Sequence, residues 1–121
     1  MRWTVQLHDD FLPEFAAMTH PVQDELLAQA LLLERFGPAL GRPQVDTLKG
    51  SRYTHMKELR MRVKENVWRF AFAFDPQRRA IVLVGADKGG VSQKRFYQGL
   101  IKKADERFAS HLASLERGRE Q

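Results

Sequence analysis

The 121-residue chain has no cysteine at all. That excludes disulfides, thiolate metal sites and thiol nucleophiles, and it fits a reducing cytoplasm. No apolar run approaches the length of a membrane span, and nothing near Met1 resembles a secretory signal. The expected location is therefore cytoplasmic, with no membrane partner. There is no phosphate-cradling glycine motif and no G-x-S-x-G nucleophile elbow, and no pair of the four histidines has metal-ligand spacing. Neither a metal nor a cofactor is expected. Internal repeats and low-complexity tracts are missing too, so the chain reads as one domain over 1–121, with a tail that frays from Gly118.

What is present is the composition of a folded protein, 43% hydrophobic and 29% charged. A net charge of +5 favours a polyanionic partner, either nucleic acid or an acidic protein. The chain is organised around Met56–Lys88, which reads as three strands separated by two turns. In the middle strand Trp68, Phe70, Phe72 and Phe74 share one face, and Val67, Arg69, Ala71 and Ala73 share the other. In the strand before it Leu59, Met61 and Val63 alternate with Glu58, Arg60 and Arg62. The sheet thus has an oily side and a basic side. The third strand, around Ala80–Ala86, is nearly all apolar and leads into Asp87-Lys88-Gly89-Gly90.

Arg2–His8 alternates as a half-buried first strand. Asp9 or Asp10 can cap a short helix containing Pro13, and Thr19-His20-Pro21 starts a second one that stops at Phe36-Gly37-Pro38. These two helices form a hairpin for the oily face. Gly37–His55 is irregular, with one short extended piece around Val45–Leu48, and a loop of that length is often functional. Ser92–Arg117 carries Tyr97, Ile101, Ala104, Phe108, Leu112 and Leu115 at helical spacing. The expected fold is α+β: about four mostly antiparallel strands, an N-terminal helical hairpin and a C-terminal helix. Its helices lie on one face and a basic groove lies on the other.

The stretches LKGS, MKELR, WRF-x-FAFD and DK followed by FY, within Gly37–Leu115, together resemble the phage-derived Gp49-like branch of the HigB/RelE toxins. These toxins belong to type II toxin–antitoxin systems, and the resemblance implies a RelE/ParE-like version of the α+β fold. The resemblance implies a small cytoplasmic endoribonuclease that cuts mRNA without a metal, commonly in the ribosomal A site. It also implies a co-encoded antitoxin, of helix-turn-helix, HigA-like type. Two other readings fit the residues: a ParE-like toxin acting on gyrase, or a non-catalytic module whose basic face binds nucleic acid or an acidic protein tail.

Metal-free RNA cleavage needs a base for the 2′-hydroxyl, cations for the phosphoryl oxygens and an acid for the leaving 5′-oxygen. Arg60 and Arg69 lie on adjacent strands and suit the phosphate, because a guanidinium fork engages two oxygens at once. Arg69 also matches the strand arginine of the family. Glu58 shares their face as a candidate base, and an ion pair with an arginine is its structural alternative. The family resemblance adds Lys88 as a basic catalytic candidate. It also adds Tyr97 as an acid or stacking platform, although Tyr97 falls on an apolar helix stripe. Lys57, Lys94 and Arg95 are candidates for RNA phosphate contact, and His55 is the one histidine placed to take part.

Overall fold

The computed structural model describes residues 2–119. Strands β1 (Thr4–Leu7), β2 (Val45–Thr47), β3 (Lys57–Val63), β4 (Asn66–Phe74) and β5 (Arg79–Asp87) form one sheet in the order β1-β5-β4-β3-β2. The sheet has five strands, not four. β1 pairs parallel to β5, and every other neighbour is antiparallel. The fifth strand is the short β2, Val45–Thr47, which falls on the extended piece expected around Val45–Leu48 and adds to the four strands counted from alternation.

Alternation along β4 decides the layers. Its aromatic side, Phe70 and Phe72 with Trp68 and Phe74, packs with Leu59 and Met61 beneath Phe11 and the α2 residues Val22, Leu26 and Leu33. Helices α1 (Leu12–Ala16) and α2 (His20–Phe36) cover this side as expected. Neither Asp9 nor Asp10 caps α1. Phe11 holds the cap position with no side-chain bond, and the Asp10 amide instead donates to Nδ1 of buried His8, 3.0 Å away.

The other side of the sheet is not an open basic groove. Helix α3 (Gln93–Arg119) lies across it and seals Ala71, Ala73, Ile81 and Leu83 under Phe96, Leu100, Ala104 and Phe108. Alanines on β4 permit this close approach of a helix bearing large side chains. β5 is buried on both faces, as a continuous Ala-Ile-Val-Leu-Val run requires. A bulge shifts its register so that Ala71 pairs with Val84 but Phe72 pairs with Val82. The carbonyl of the unpaired Leu83 accepts a 2.7 Å hydrogen bond from Arg107 Nη1, and that guanidinium also grips Glu14 of α1. One α3 arginine thus ties the irregular strand to the N-terminal helices.

Helix α3 runs to Arg119, and positions 120 and 121 of the tail expected to fray lie outside the described residues. It is anchored at its far end by His111, whose Nε2 lies 2.8 Å from Asp75 Oδ2 in the turn after β4. Asp75 also accepts from the Arg79 amide and Nε and from the Gln77 amide. Burial opposes the charged form of Asp75, but the hydrogen bonds from His111 and Arg79 outweigh it and hold the carboxyl below its ordinary 3.8. A depressed folded value means the stabilisation is complete above pH 3.8 and is lost as pH falls through that lower value. Urea midpoints measured down the acid range should therefore fall more steeply below pH 4 for the wild type than for Asp75→Asn; parallel curves would contradict this.

Candidate active site

Antiparallel pairing sets Arg60 directly opposite Arg69, and Glu58 opposite Ala71. Alternation sends Glu58, Arg60 and Arg69 to the α3 side, at the end of the sheet where α3 begins. Ser92 starts that helix, its hydroxyl accepting from the Arg95 amide at 3.3 Å. Tyr97 follows in the second turn and its hydroxyl donates to Glu58 Oε1 at 2.8 Å. Arg69 Nε sits 3.9 Å from the same oxygen. The Arg69 guanidinium carbon lies 5.6 Å from the centroid of the Phe96 ring and 5.8 Å from that of Tyr97.

Arg69 is therefore not the open, solvated guanidinium that its strand suggested. Its side chain is 13% exposed and that of Glu58 is 10% exposed. Two aromatic rings at the start of α3 roof them, which is the cation–π arrangement that suits a weakly hydrated guanidinium. The alanines flanking Arg69 marked a floor for a helix, and the doubly apolar β5 was the available sign of one. Arg69 Nε is buried and makes no hydrogen bond among the described residues. At 3.9 Å the contact with Glu58 is electrostatic only.

What remains open is a cleft of about 610 Å³ lined by Glu58, Arg60, Arg69 and Tyr97, with Arg60 exposed at its edge. Four of the five residues singled out for chemistry thus share one cavity. The loop around β2 completes it with Arg42, Asp46 and Lys49, so four cations face two carboxylates. Arg42 Nε is 3.8 Å from Asp46 Oδ2. None of these three loop residues was singled out for chemistry, although Lys49 lies in the LKGS stretch and the length of the loop stood out.

Lys88 is not part of this cluster. It lines a separate cavity of about 620 Å³ on the Phe96 side of α3, with Asp87 and Lys103. Lys57 is half-buried on β3 and alternates with Leu59 to the α2 side, away from the cleft. His55 is exposed in the turn before β3 and does not line the cleft; Arg95 is exposed in the first turn of α3. Lys94 borders a neighbouring cavity that shares Tyr97. His8 and His111 are buried far along the sheet, with hydrogen-bond partners of their own. Among the described residues no group of three or more histidines and carboxylates is spaced to hold a metal ion.

The protonation state of Tyr97 follows from its surroundings. Burial is the main cause that raises its pKa above 10.0, and the hydrogen bond to the Glu58 carboxylate acts in the same direction. The phenol is therefore a proton donor throughout the neutral range. Its stabilising contribution is present below pH 10 and is lost as pH rises through the raised value. The chain has two tyrosines, so ultraviolet titration can separate them. A component ionising above pH 10.0 should vanish in Tyr97→Phe; its persistence there would contradict the assignment.

Comparison with known proteins decides the family. The sequence profile of the family described as phage derived protein Gp49-like matches residues 13–109, most of the chain. The chain belongs to the Gp49-like family. Two Mycobacterium tuberculosis proteins named as HigB toxins are similar to it. HigB3 is 42% identical over 104 residues, which covers 86% of this chain and 89% of that protein. HigB2 is 49% identical over 94 residues, covering 76% of this chain but 46% of HigB2, so the chain spans about half the length of that relative. The fold matches a mutant of the Escherichia coli toxin RelE in its free state, with TM-score 0.61, 11% identity, and 88% of this chain and 98% of RelE covered. It also matches an archaeal RelE–RelB complex from Pyrococcus horikoshii, with TM-score 0.54, 15% identity, and 75% of this chain and all of that one covered. This Gp49-like chain is thus similar in sequence to proteins named as HigB toxins, and its five-stranded mixed sheet with a C-terminal helix is a RelE-like fold.

Proposed function

We propose that this Gp49-like chain is an endoribonuclease that cuts mRNA on the ribosome, needs no metal ion, and works in the cytoplasm under the control of a cognate antitoxin. The observation that carries the reading is the 2.8 Å hydrogen bond from Tyr97 to Glu58, set in a cleft with two paired arginines. A possible base, a possible acid and phosphate-binding cations in one cleft are what cutting needs, and they favour it over a ParE-like inhibitor or a simple binding module.

In this reading the scissile phosphate rests against Arg60 and the accessible edge of Arg69, whose charges offset the negative charge developing on the phosphoryl oxygens. The Glu58 carboxylate takes the proton of the 2′-hydroxyl as the 2′-oxygen attacks phosphorus. Tyr97 delivers its proton to the departing 5′-oxygen. The products are a 2′,3′-cyclic phosphate and a 5′-hydroxyl, and the proton now on Glu58 returns to Tyr97 along their hydrogen bond. The cycle closes with every proton accounted for. Lys88 has no part in it. The antitoxin partner is inferred from the family, whose type II members are paired with one; the structural neighbour RelE is seen bound to RelB.

Purified protein added to ribosomes translating a defined mRNA should give cuts in register with codons. Uncut mRNA, with growth arrest on expression accompanied by trapped gyrase, would contradict this reading and favour the ParE-like one.

A further inference from the structure

One face of helix α2 is left uncovered. Val22, Leu26 and Leu33 are buried in the core, while Asp24, Leu27, Ala28, Leu31 and Arg35 are exposed. Positions 24, 27, 28, 31 and 35 recur at intervals of three and four, so they make a single stripe along the helix. Leu31 is 65% exposed and Leu27 53%, more than any other large apolar side chain among the described residues. Lone exposed leucines are ordinary, but two on successive turns of one helix form a patch.

Beside that patch runs an apolar groove of about 330 Å³ between α2 and β1, lined by Val5, Leu7, Leu26, Ala30 and Val82 and rimmed by Leu27 and Leu31. β1 is an edge strand, so no further strand closes the groove. Ridge and groove thus belong to one surface, which is the self-complementarity that a two-fold contact requires. The two ends of the stripe carry opposite charges. Asp24 precedes the leucines and Arg35 follows them, and neither takes part in an ion pair among the described residues. The Arg35 guanidinium rests over the ring of exposed Phe36, 5.4 Å from its centroid.

We infer that this face binds a second copy of the same chain, with the two α2 helices antiparallel. The register that sets Leu31 of one copy against Leu27 and Ala28 of the other also sets Asp24 of each against Arg35 of the other. A parallel pairing would instead bring like charges together at both ends. Charge complementarity and the ridge beside its own groove carry the assignment. The contact is one helix face in size, so association should be weak, with a dissociation constant of about 10 µM. Helices α2 and α3 lie on opposite faces of the sheet, so the dimer leaves both reactive clefts open. The inference stands whether or not the chain cuts RNA.

Sedimentation of the full chain from about 1 to about 200 µM tests this, and the wild type should pass from monomer to dimer over that range. Leu31→Asp, at an exposed position, should stay monomeric throughout. Asp24→Arg and Arg35→Asp each create two like-charged contacts per dimer, and each should weaken association about tenfold. The double variant Asp24→Arg/Arg35→Asp restores opposite charges and should recover most of the wild-type affinity. The chain has no cysteine, so introduced ones report the register. A mixture of Asp24→Cys and Arg35→Cys should oxidise to a disulfide between unlike chains. Either variant alone should cross-link poorly, because like positions lie about 16 Å apart along an antiparallel pair. A wild type that stays monomeric at the highest concentration, a dimer that survives Leu31→Asp, or a double charge variant no better than the single ones would overturn the proposal. A monomeric wild type whose capture of its antitoxin is weakened by Leu31→Asp would assign the face to that protein instead of a second copy. Thermal melts of each variant confirm that the fold is retained.

Discussion

Glu58→Gln should lower the single-turnover rate of RNA cutting by about 10²–10⁴-fold, the usual contribution of a positioned base or acid. Glutamine keeps the size of the side chain and a carbonyl oxygen that can still accept from Tyr97, so the melting temperature should change little. RNA affinity should hold or rise, because a negative charge has left a cleft that receives a phosphate. Tyr97→Phe should fall in the same range, and the double variant should lose little more than either single one, since the two side chains act as a unit. Independent, multiplying losses would argue against a shared proton path. Arg60→Ala is the cleaner test of phosphate stabilisation. Arg69→Ala also strips a nearly covered side chain from between Glu58, Phe96 and Tyr97, so its effect mixes chemistry with packing.

The largest expected effect on stability lies at Phe70 and Gly85, which face each other across β4 and β5. Phe70 is fully buried, its ring centroid 6.0 Å from that of Trp68 and 6.1 Å from that of Phe11. Phe70→Ala should cost about 3–5 kcal/mol through lost contacts and the cavity left behind. A Cβ on Gly85 would sit 2.1 Å from Phe70 Cδ1, so Gly85→Ala forces the ring or the strand to move and should destabilise by about 1–3 kcal/mol. In the double variant the new methyl group occupies space vacated by the ring. Denaturant unfolding should therefore show a combined loss smaller than the sum, a coupling that additive losses would rule out.

Much of this arrangement was legible in the sequence, for a definite reason. Period-two alternation in β3 and β4 is strict, so it assigned Trp68, Phe70, Phe72 and Phe74 to one face and Glu58, Arg60 and Arg69 to the other. The helical repeat in α3 was equally plain. What alternation cannot report is what lies above a face. Ala71 and Ala73 fit an open floor as well as a floor for a helix, and only the apolar faces of β5 spoke for the helix. That ambiguity put Arg69 in solvent when two rings cover it. Strand β2 was legible as a short extended piece, but three residues carry no periodicity that could aim their loop at a site, so Arg42, Asp46 and Lys49 went unnoticed as walls of the cleft. The Tyr97–Glu58 contact spans 39 positions, and nothing local in either segment encodes it. Tyr97 on an apolar stripe looked like a core residue, and it is half one: buried along its ring, with its hydroxyl reaching the carboxylate.

The central claim is that Glu58 and Tyr97 transfer the protons of RNA cleavage beside two arginines, with no ion in the reaction. The most direct measurement is end-group analysis of mRNA cut by the purified wild-type chain on translating ribosomes. The account predicts 2′,3′-cyclic phosphate on one fragment and 5′-hydroxyl on the other. Fragments bearing 5′-phosphate and 3′-hydroxyl, the products of metal-activated water, would contradict it.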